Sequence, residues 1–262
     1  MIDGELNPAF DANLLSRIED AGLNASAPPQ QRWLDGWLVR FSPGKAKRAR
    51  CVNAVATGRL AVEDRLAACA QVFDEASLPL IVRITPFTLP TGLDAMLASQ
   101  GMERFDDTRV MALVELPEFD TPATDDVAIH AVDLDAFAHR VGALRGSPLA
   151  QRLAHAERLL NSPVPFFAFE LRAGGAPVAC GQFALEGDLV GLYDVFTAES
   201  ARGRGLAGRL CKRLLTQAQS QGARHAYLQV EGDNHAARAV YHRLGFADAY
   251  AYHYRTRDLS AA

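Results

Sequence analysis

Residues 200–210 read "SARGRGLAGRL", which sets three arginines (Arg202, Arg204, Arg209) among three glycines (Gly203, Gly205, Gly208). The segment before it, "LVGLYDVFT" (189–197), is apolar and rich in strand formers. The segment after it carries Leu206, Leu210, Leu214 and Ala218 at helical spacing, with Ala207, Cys211 and Leu215 alongside, which predicts a helix over 205–221. The order is therefore strand, glycine-arginine loop, helix. Glycines let the chain turn tightly and let amide hydrogens converge. A helix start adds unpaired N–H groups and the positive end of its dipole. Together they suit the oxygens of a pyrophosphate, with Arg202 and Arg204 adding charge at the rim.

Other readings of the loop fit less well. A nucleic-acid patch needs a basic setting, and the chain carries a net charge of -4. A merely solvated charged face does not account for three glycines. Gly203-Arg204-Gly205-Leu206-Ala207-Gly208 also matches the dinucleotide pattern G-x-G-x-x-G, with Glu231 downstream. In that fingerprint the strand runs almost directly into the first glycine, whereas Thr197 to Arg202 intervene here.

Outward from the loop, "HAYLQV" (225–230) predicts a strand, 234–244 a helix and "AYAYHYRTR" (249–257) a final strand. Upstream, "VAIHAV" (127–132) is a strand, 134–144 and 148–160 are helices, and 164–172 and 176–187 are strands with Gly174-Gly175 at their turn. The first half predicts a helix over 10–23, strands over 32–42 (turning near Gly36), 47–55, 79–85 and 109–116, and helices over 61–76 and 91–100. The acidic, proline-bearing "PEFDTPATDD" (117–126) reads as a linker. The halves also share an offset. Gly101-Met102 and Gly245-Phe246 each follow a helix, 144 residues apart, and the same shift carries Ala61 onto Gly205 and strand 81–86 onto 225–230. The simplest account is two copies of one α/β unit.

Composition excludes several classes. Hydrophobic residues make up 49% of 262, enough for a soluble core, and no apolar run reaches the roughly 20 residues that span a membrane. The acidic start, Met1 to Glu5, does not read as a secretory signal. Cys51, Cys69, Cys180 and Cys211 stand in apolar contexts without zinc-ligand spacing, so reduced thiols in a cytoplasmic protein are expected and no metal.

Arg202-x-x-Gly205-x-Ala207 resembles the acetyl-coenzyme A loop, R/Q-x-x-G-x-G/A, of the GCN5-related N-acetyltransferase (GNAT) superfamily. Asn234-x-x-Ala237-x-x-x-Tyr241-x-x-x-Gly245-Phe246 is similar to the second half of that signature, and the likeness covers about 125–258. "WLDGWLVRFS", "KRARCVN" and "YAYHYR" also look like a bacterial two-unit subgroup. The resemblance implies an α/β (α+β) chain of two tandem units, each a mixed, mostly antiparallel sheet flanked by helices. Residues 1–120 would be a degenerate unit with a leading helix, and 125–262 the catalytic unit.

It further implies that the thioester lies along Leu192 to Thr197. Backbone groups of Val195, Phe196 and Thr197 would pair with the pantetheine arm, and the amides of Arg202, Gly203, Arg204, Gly205, Leu206, Ala207 and Gly208 would cradle the pyrophosphate. Asn234 and Ala237 would line the arm. Tyr241, on the same helical stripe, would protonate the departing sulfur. Glu231 and Asp194 are candidates to accept the amine's proton, with Glu186 a third. In the first unit the counterparts are Gly58 for Arg202, Ala61 for Gly205, Glu63 for Ala207, Pro90 for Asn234 and Leu97 for Tyr241, a set lacking the acid and placing a carboxylate at the cradle. The expected function is acetyl transfer from acetyl-coenzyme A to a primary amine of a small molecule or peptide, as a monomer or homodimer. A non-catalytic coenzyme A- or ligand-binding regulatory module is the alternative from another class. Arg145 and Arg152 could attract an acceptor carboxylate, as in an amino acid or peptide, with solvated surface as the alternative reading.

Overall fold

The computed structural model describes residues 5–43, 46–119 and 127–260. The first half contains α1 (Ala12–Ala25), β1 (Gln31–Leu34), β2 (Trp37–Arg40), β3 (Val52–Asn53), α2 (Val62–Glu75), β4 (Ile81–Ile84), α3 (Leu93–Ser99) and β5 (Glu103–Leu113). The second contains β6 (Val127–Val132), α4 (Leu134–Leu144), α5 (Leu149–Leu160), β7 (Phe166–Ala173), β8 (Ala176–Glu186), β9 (Leu189–Thr197), α6 (Leu206–Gln219), β10 (His225–Glu231), α7 (His235–Arg243) and β11 (Ala247–Thr256). The 144-residue shift carries α2 onto the bounds of α6, 206–219, and the start of β4 onto the start of β10. Of the linker expected over 117–126, residues 120–126 lie outside the described residues.

Local chemistry sets the element ends. Asp11 caps α1 by accepting from the Leu14 amide (2.9 Å), and Asp133 caps α4 through the Ala136 amide (2.8 Å). The stripe read in α6 is the buried one: Leu206, Leu210, Cys211, Leu214, Leu215 and Ala218 all face inward. Each leucine buried this way contributes about 1.5–3 kcal/mol. The strand expected over 47–55 is shorter. Residues Lys47–Ala49 form a single 3₁₀ turn, and only Val52–Asn53 pair. Conversely, β5 begins at Glu103, six residues before the expected 109, because its first part is half exposed and breaks the apolar alternation.

Among the described residues eleven strands form one sheet, in the order β1-β2-β3-β4-β11-β5-β10-β9-β8-β7-β6. Of these, only β3/β4 and β9/β10 pair in parallel. The order is symmetric about β11/β5. β11, from the second half, lies against β4 of the first, and β5, from the first, lies against β10 of the second. The register agrees with the offset: Ala247 faces Ala112 at one end and Thr256 faces Glu103 at the other. Each half thus lends its last strand to the other. On one face, α6 and α7 cover a core containing Phe183, Leu192, Leu228 and Met111. The opposite face packs α1 against Tyr227, Tyr250, Tyr252 and Tyr254.

Candidate active site

Strands β9 and β10 run side by side from Leu189 and His225 as far as Leu192 and Leu228, and no pairing continues beyond. A bulge lies at this point. The β8/β9 register slips between Cys180 and Gln182, and Asp194 adopts a left-handed conformation (φ 51°), which aspartate tolerates better than most residues. Beyond the bulge the edge of β9 at Val195, Phe196 and Thr197 is free to pair with an extended ligand. The hydroxyl of Thr197 is buried there without a hydrogen-bond partner.

The chain then turns through Glu199–Ala201 into α6. Gly203 and Gly205 take φ of 76° and 73°, values that favour glycine. The Arg209 amide donates to the Gly205 carbonyl (3.2 Å), which makes it the first helical bond. The amides of Leu206, Ala207 and Gly208 are therefore left at the open helix end. The Arg202 amide donates to the Glu199 carbonyl (3.2 Å), so the turn's amides without a backbone partner begin at Gly203. Arg202 instead reaches the site through its side chain, which lies over the Phe196 ring.

Helix α7 forms the other wall. Asn234 caps it by accepting from the Ala237 amide (3.1 Å). Tyr241 is 8% exposed, packs edge-on against Phe246, and has no hydrogen-bonded partner for its hydroxyl among the described residues. Burial, with a smaller contribution from the Cys211 thiol, pushes its pKa well above the ordinary phenol value.

These elements enclose a cleft of about 1140 Å³. Val195, Phe196, Thr197, Arg202, Gly203, Gly205, Leu206, Ala207, Gly208, Asn234, Ala237 and Tyr241 all line it. Arg204 does not; it is exposed outside the lining. Lys212 and Arg213 of α6 and Arg243 of α7 do line it and were not singled out from sequence. Helical spacing from Gly205 (i+7, i+8) finds Lys212 and Arg213, and spacing from Ala236 and Val240 finds Arg243.

Asp194 does not suit the role of proton acceptor. Burial raises its pKa, but the close approach of His155 and the charges of Arg145, His155 and Arg158 outweigh burial and hold it far below the carboxylate range. Its oxygens take Arg145 at 2.8 Å and Gln182 at 2.7 Å, with His155 at 3.2 Å. Arg145 is held in this ion pair, and Arg152 donates its Nε–H to the Ser147 carbonyl (2.7 Å). Glu231, at the end of β10, is exposed and lies outside the cleft lining. Its alternation with Gln229 places it on the sheet face opposite α6. Glu186 is bound by Asn24 (2.9 Å).

The corresponding helix end in the first half is filled by the chain itself. Asp35 accepts from the amides of Arg59 (2.8 Å) and Leu60 (2.7 Å), which correspond by the offset to Gly203 and Arg204. Arg65, buried and stacked on Trp37 (4.4 Å), stands 3.8 Å behind the same carboxylate. The Leu89 amide donates to the Ala54 carbonyl (2.7 Å) and so occupies the strand edge beyond β3.

Tandem sheets with exchanged ends, a strand pair splayed at a bulge and a glycine-opened helix at the mouth define a GNAT fold in its two-unit form. Structures of this shape include a GCN5-related N-acetyltransferase from Kribbella flavida (TM-score 0.66, 19% identical, covering 92% of this chain and 94% of that one). They also include a tandem GNAT protein from the clavulanic acid biosynthesis pathway (TM-score 0.59, 16% identical, covering 76% and 70%). By sequence the chain is 25% identical over 237 residues to the uncharacterized N-acetyltransferase YobR of Bacillus subtilis (strain 168), covering 87% of this chain and 92% of the relative. The chain belongs to the acetyltransferase family described as "Probable histone acetyltransferase Rv0428c C-terminal", whose model matches residues 15–256 and so spans both halves.

Proposed function

We propose that the chain moves an acetyl group from acetyl-coenzyme A to a primary amine of a small molecule or peptide, by direct attack in the cleft of the second half. One observation carries this reading: Val195 to Thr197 at the β9 edge, the residues at the start of α6 and Tyr241 all line the same cleft. In this reading the amides of Gly203 to Gly208 hold the diphosphate, and Arg202, Lys212 and Arg213 neutralise its charge. Val195 and Phe196 pair with the amides of the pantetheine arm and bring the thioester to the splay.

Tyr241 then acts on the sulfur. A phenol is protonated at neutrality, and because burial makes this one a weaker acid it gives up its proton only as negative charge builds on the sulfur. As the C–N bond forms and the C–S bond breaks, the phenol hydrogen-bonds to sulfur and protonates the leaving thiolate. Glu231 takes the amine's proton through water, because Asp194 is held as an anion by its neighbours. We assign catalysis to a unit spanning 125–262 and read 1–120 as a degenerate unit that shapes the acceptor side. The four buried, unpaired cysteines accord with the reducing cytoplasm.

The test is thiol release from acetyl-coenzyme A across an amine panel, alongside calorimetric titration with the same thioester. Amine-dependent thiol release with an acetylated product supports the transferase. Tight binding with no thiol release for any amine would instead make the chain a regulatory coenzyme A-binding module.

A further inference from the structure

The bulge at Asp194 decides which way the end of β9 faces. Leu192 and Val195, three residues apart, both pack into the core under α6. A Cβ on Gly181 would touch Leu214 (3.1 Å) and Leu210 (3.2 Å) of α6 and Val195 (3.4 Å) together, which fixes Val195 on that side. Tyr193 and Phe196 pack against the core of α4 and α5 on the opposite face. Plain alternation would instead put Leu192 and Asp194 on one face. Asp194 is the extra residue, and its φ of 51° is the local departure that admits it. A slip of one residue would restore the alternation, carry Asp194 under the leucines of α6 and turn Val195 to Thr197 over.

Three side chains hold the extra residue on the α4–α5 side. Arg145, the residue after α4, donates to one carboxylate oxygen (2.8 Å). Gln182, wholly buried on β8, donates to the other (2.7 Å), which His155 of α5 approaches at 3.2 Å. The His155 ring is set edge-on to Phe137 of α4 (6.4 Å). Arg145 also reaches past the bulge, where its guanidinium lies over the Phe196 ring at 5.4 Å. One side chain therefore grips β9 on both sides of Val195, at 194 and at 196. Beyond Leu192 no pairing with β10 restrains this part of the strand. Burying a carboxylate among leucines disfavours the slipped register, and the charged and polar partners favour the bulged one. The charge at Asp194 thus selects between them.

We propose that Arg145 is a positioning residue for the donor: by holding Asp194 and Phe196 it keeps the bulge in place and turns the Val195–Thr197 edge toward the pantetheine arm. This rests on the transferase reading above and deepens it. It also gives α4 and α5, which contribute no residue to the cleft lining, a part in donor binding.

The experiment uses the full chain and two ligands. One is acetyl-coenzyme A; the other is adenosine 3′-phosphate 5′-diphosphate, which carries the diphosphate and lacks the arm. Affinities are measured by calorimetry, and amine-dependent thiol release gives the rate. Asp194→Asn keeps the size and the tolerance of a left-handed backbone but loses the charge. Arg145→Met keeps the length without the charge. Each should weaken acetyl-coenzyme A roughly 10-fold and leave the fragment within about twofold, with kcat lowered as well because the thioester is displaced. Asp194→Val suits a regular strand and the apolar side under α6, so it should cost the thioester roughly 100-fold and again spare the fragment. Retained fragment binding shows that a variant is folded. Unchanged thioester affinity and rate in the Asn and Met variants, equal losses for both ligands, or a Val variant no weaker than the Asn one overturns the positioning role. The wild-type chain reports separately on the transferase reading. Thioester binding without thiol release from any amine removes the transferase, and the two affinities still decide the role of Arg145.

Discussion

Helices α2 and α6 begin at equivalent places, 144 residues apart, and differ in who supplies the anion. At α2 the carboxylate of Asp35 sits on two amides, Arg65 neutralises it from behind, and Leu89 covers the neighbouring strand edge. At α6 the corresponding Gly203, the basic side chains of Arg202, Lys212 and Arg213, and the strand edge all line one cleft. A helix end wants a negative partner whether or not a ligand is available. The first half meets that demand with its own side chain, through hydrogen bonds. The second leaves it unmet, and on the proposed reading a ligand supplies the anion there. On that reading the difference between the two copies turns on one acid in a hairpin as much as on lost catalytic groups.

The sharpest way to break the comparison is the same substitution at both starts. Gly205→Glu forces a side chain into a left-handed position and adds charge at the cradle, so acetyl-coenzyme A affinity should fall by more than about 100-fold. Ala61→Glu, its counterpart at α2, should leave calorimetric affinity unaltered. Equal losses would mean that both helix ends bind the donor. Next in size is Tyr241→Phe, for which turnover should drop about 100-fold with donor affinity retained, the scale of a general acid. An unaltered rate would return Tyr241 to the role its packing against Phe246 already gives it. The smallest effect is expected from Asp35→Ala. It should lower the thermal midpoint, leave donor binding intact, and be partly reversed by sulfate, which can take the vacated amides. The variant should also lose an acid-sensitive part of its stability. The Leu60 amide, then those of Arg59 and the Arg65 charge, depress the Asp35 pKa below 3.8 against desolvation. That contribution is present above pH 3.8 and disappears as pH falls through the lower folded value. A midpoint indifferent to sulfate would show that the cradle at α2 collapses when emptied.

The loop and both helices of the cleft were legible because they leave local marks: glycines where φ is positive, and leucines every third or fourth residue. The duplicated architecture was legible from helix ends alone. The cage around Asp194 was not, since Gln182 and Arg145 stand 12 and 49 residues away in sequence and nothing in a lone aspartate announces them. The same applies to Asp35, whose amide partners are 24 and 25 residues on. The exchange of β5 and β11 was invisible for a different reason. A strand's alternation records which face is buried but not which neighbour it pairs with.

That exchange has a consequence for biosynthesis. Because β11 stands between β4 and β5, the sheet of the first half acquires its neighbour only after residues 247–256 have been made. The ribosome cannot release one finished half and then begin another. Until the closing strand emerges, β4 presents a bare edge to whatever else is in the cell, and a chaperone is the natural occupant of that interval.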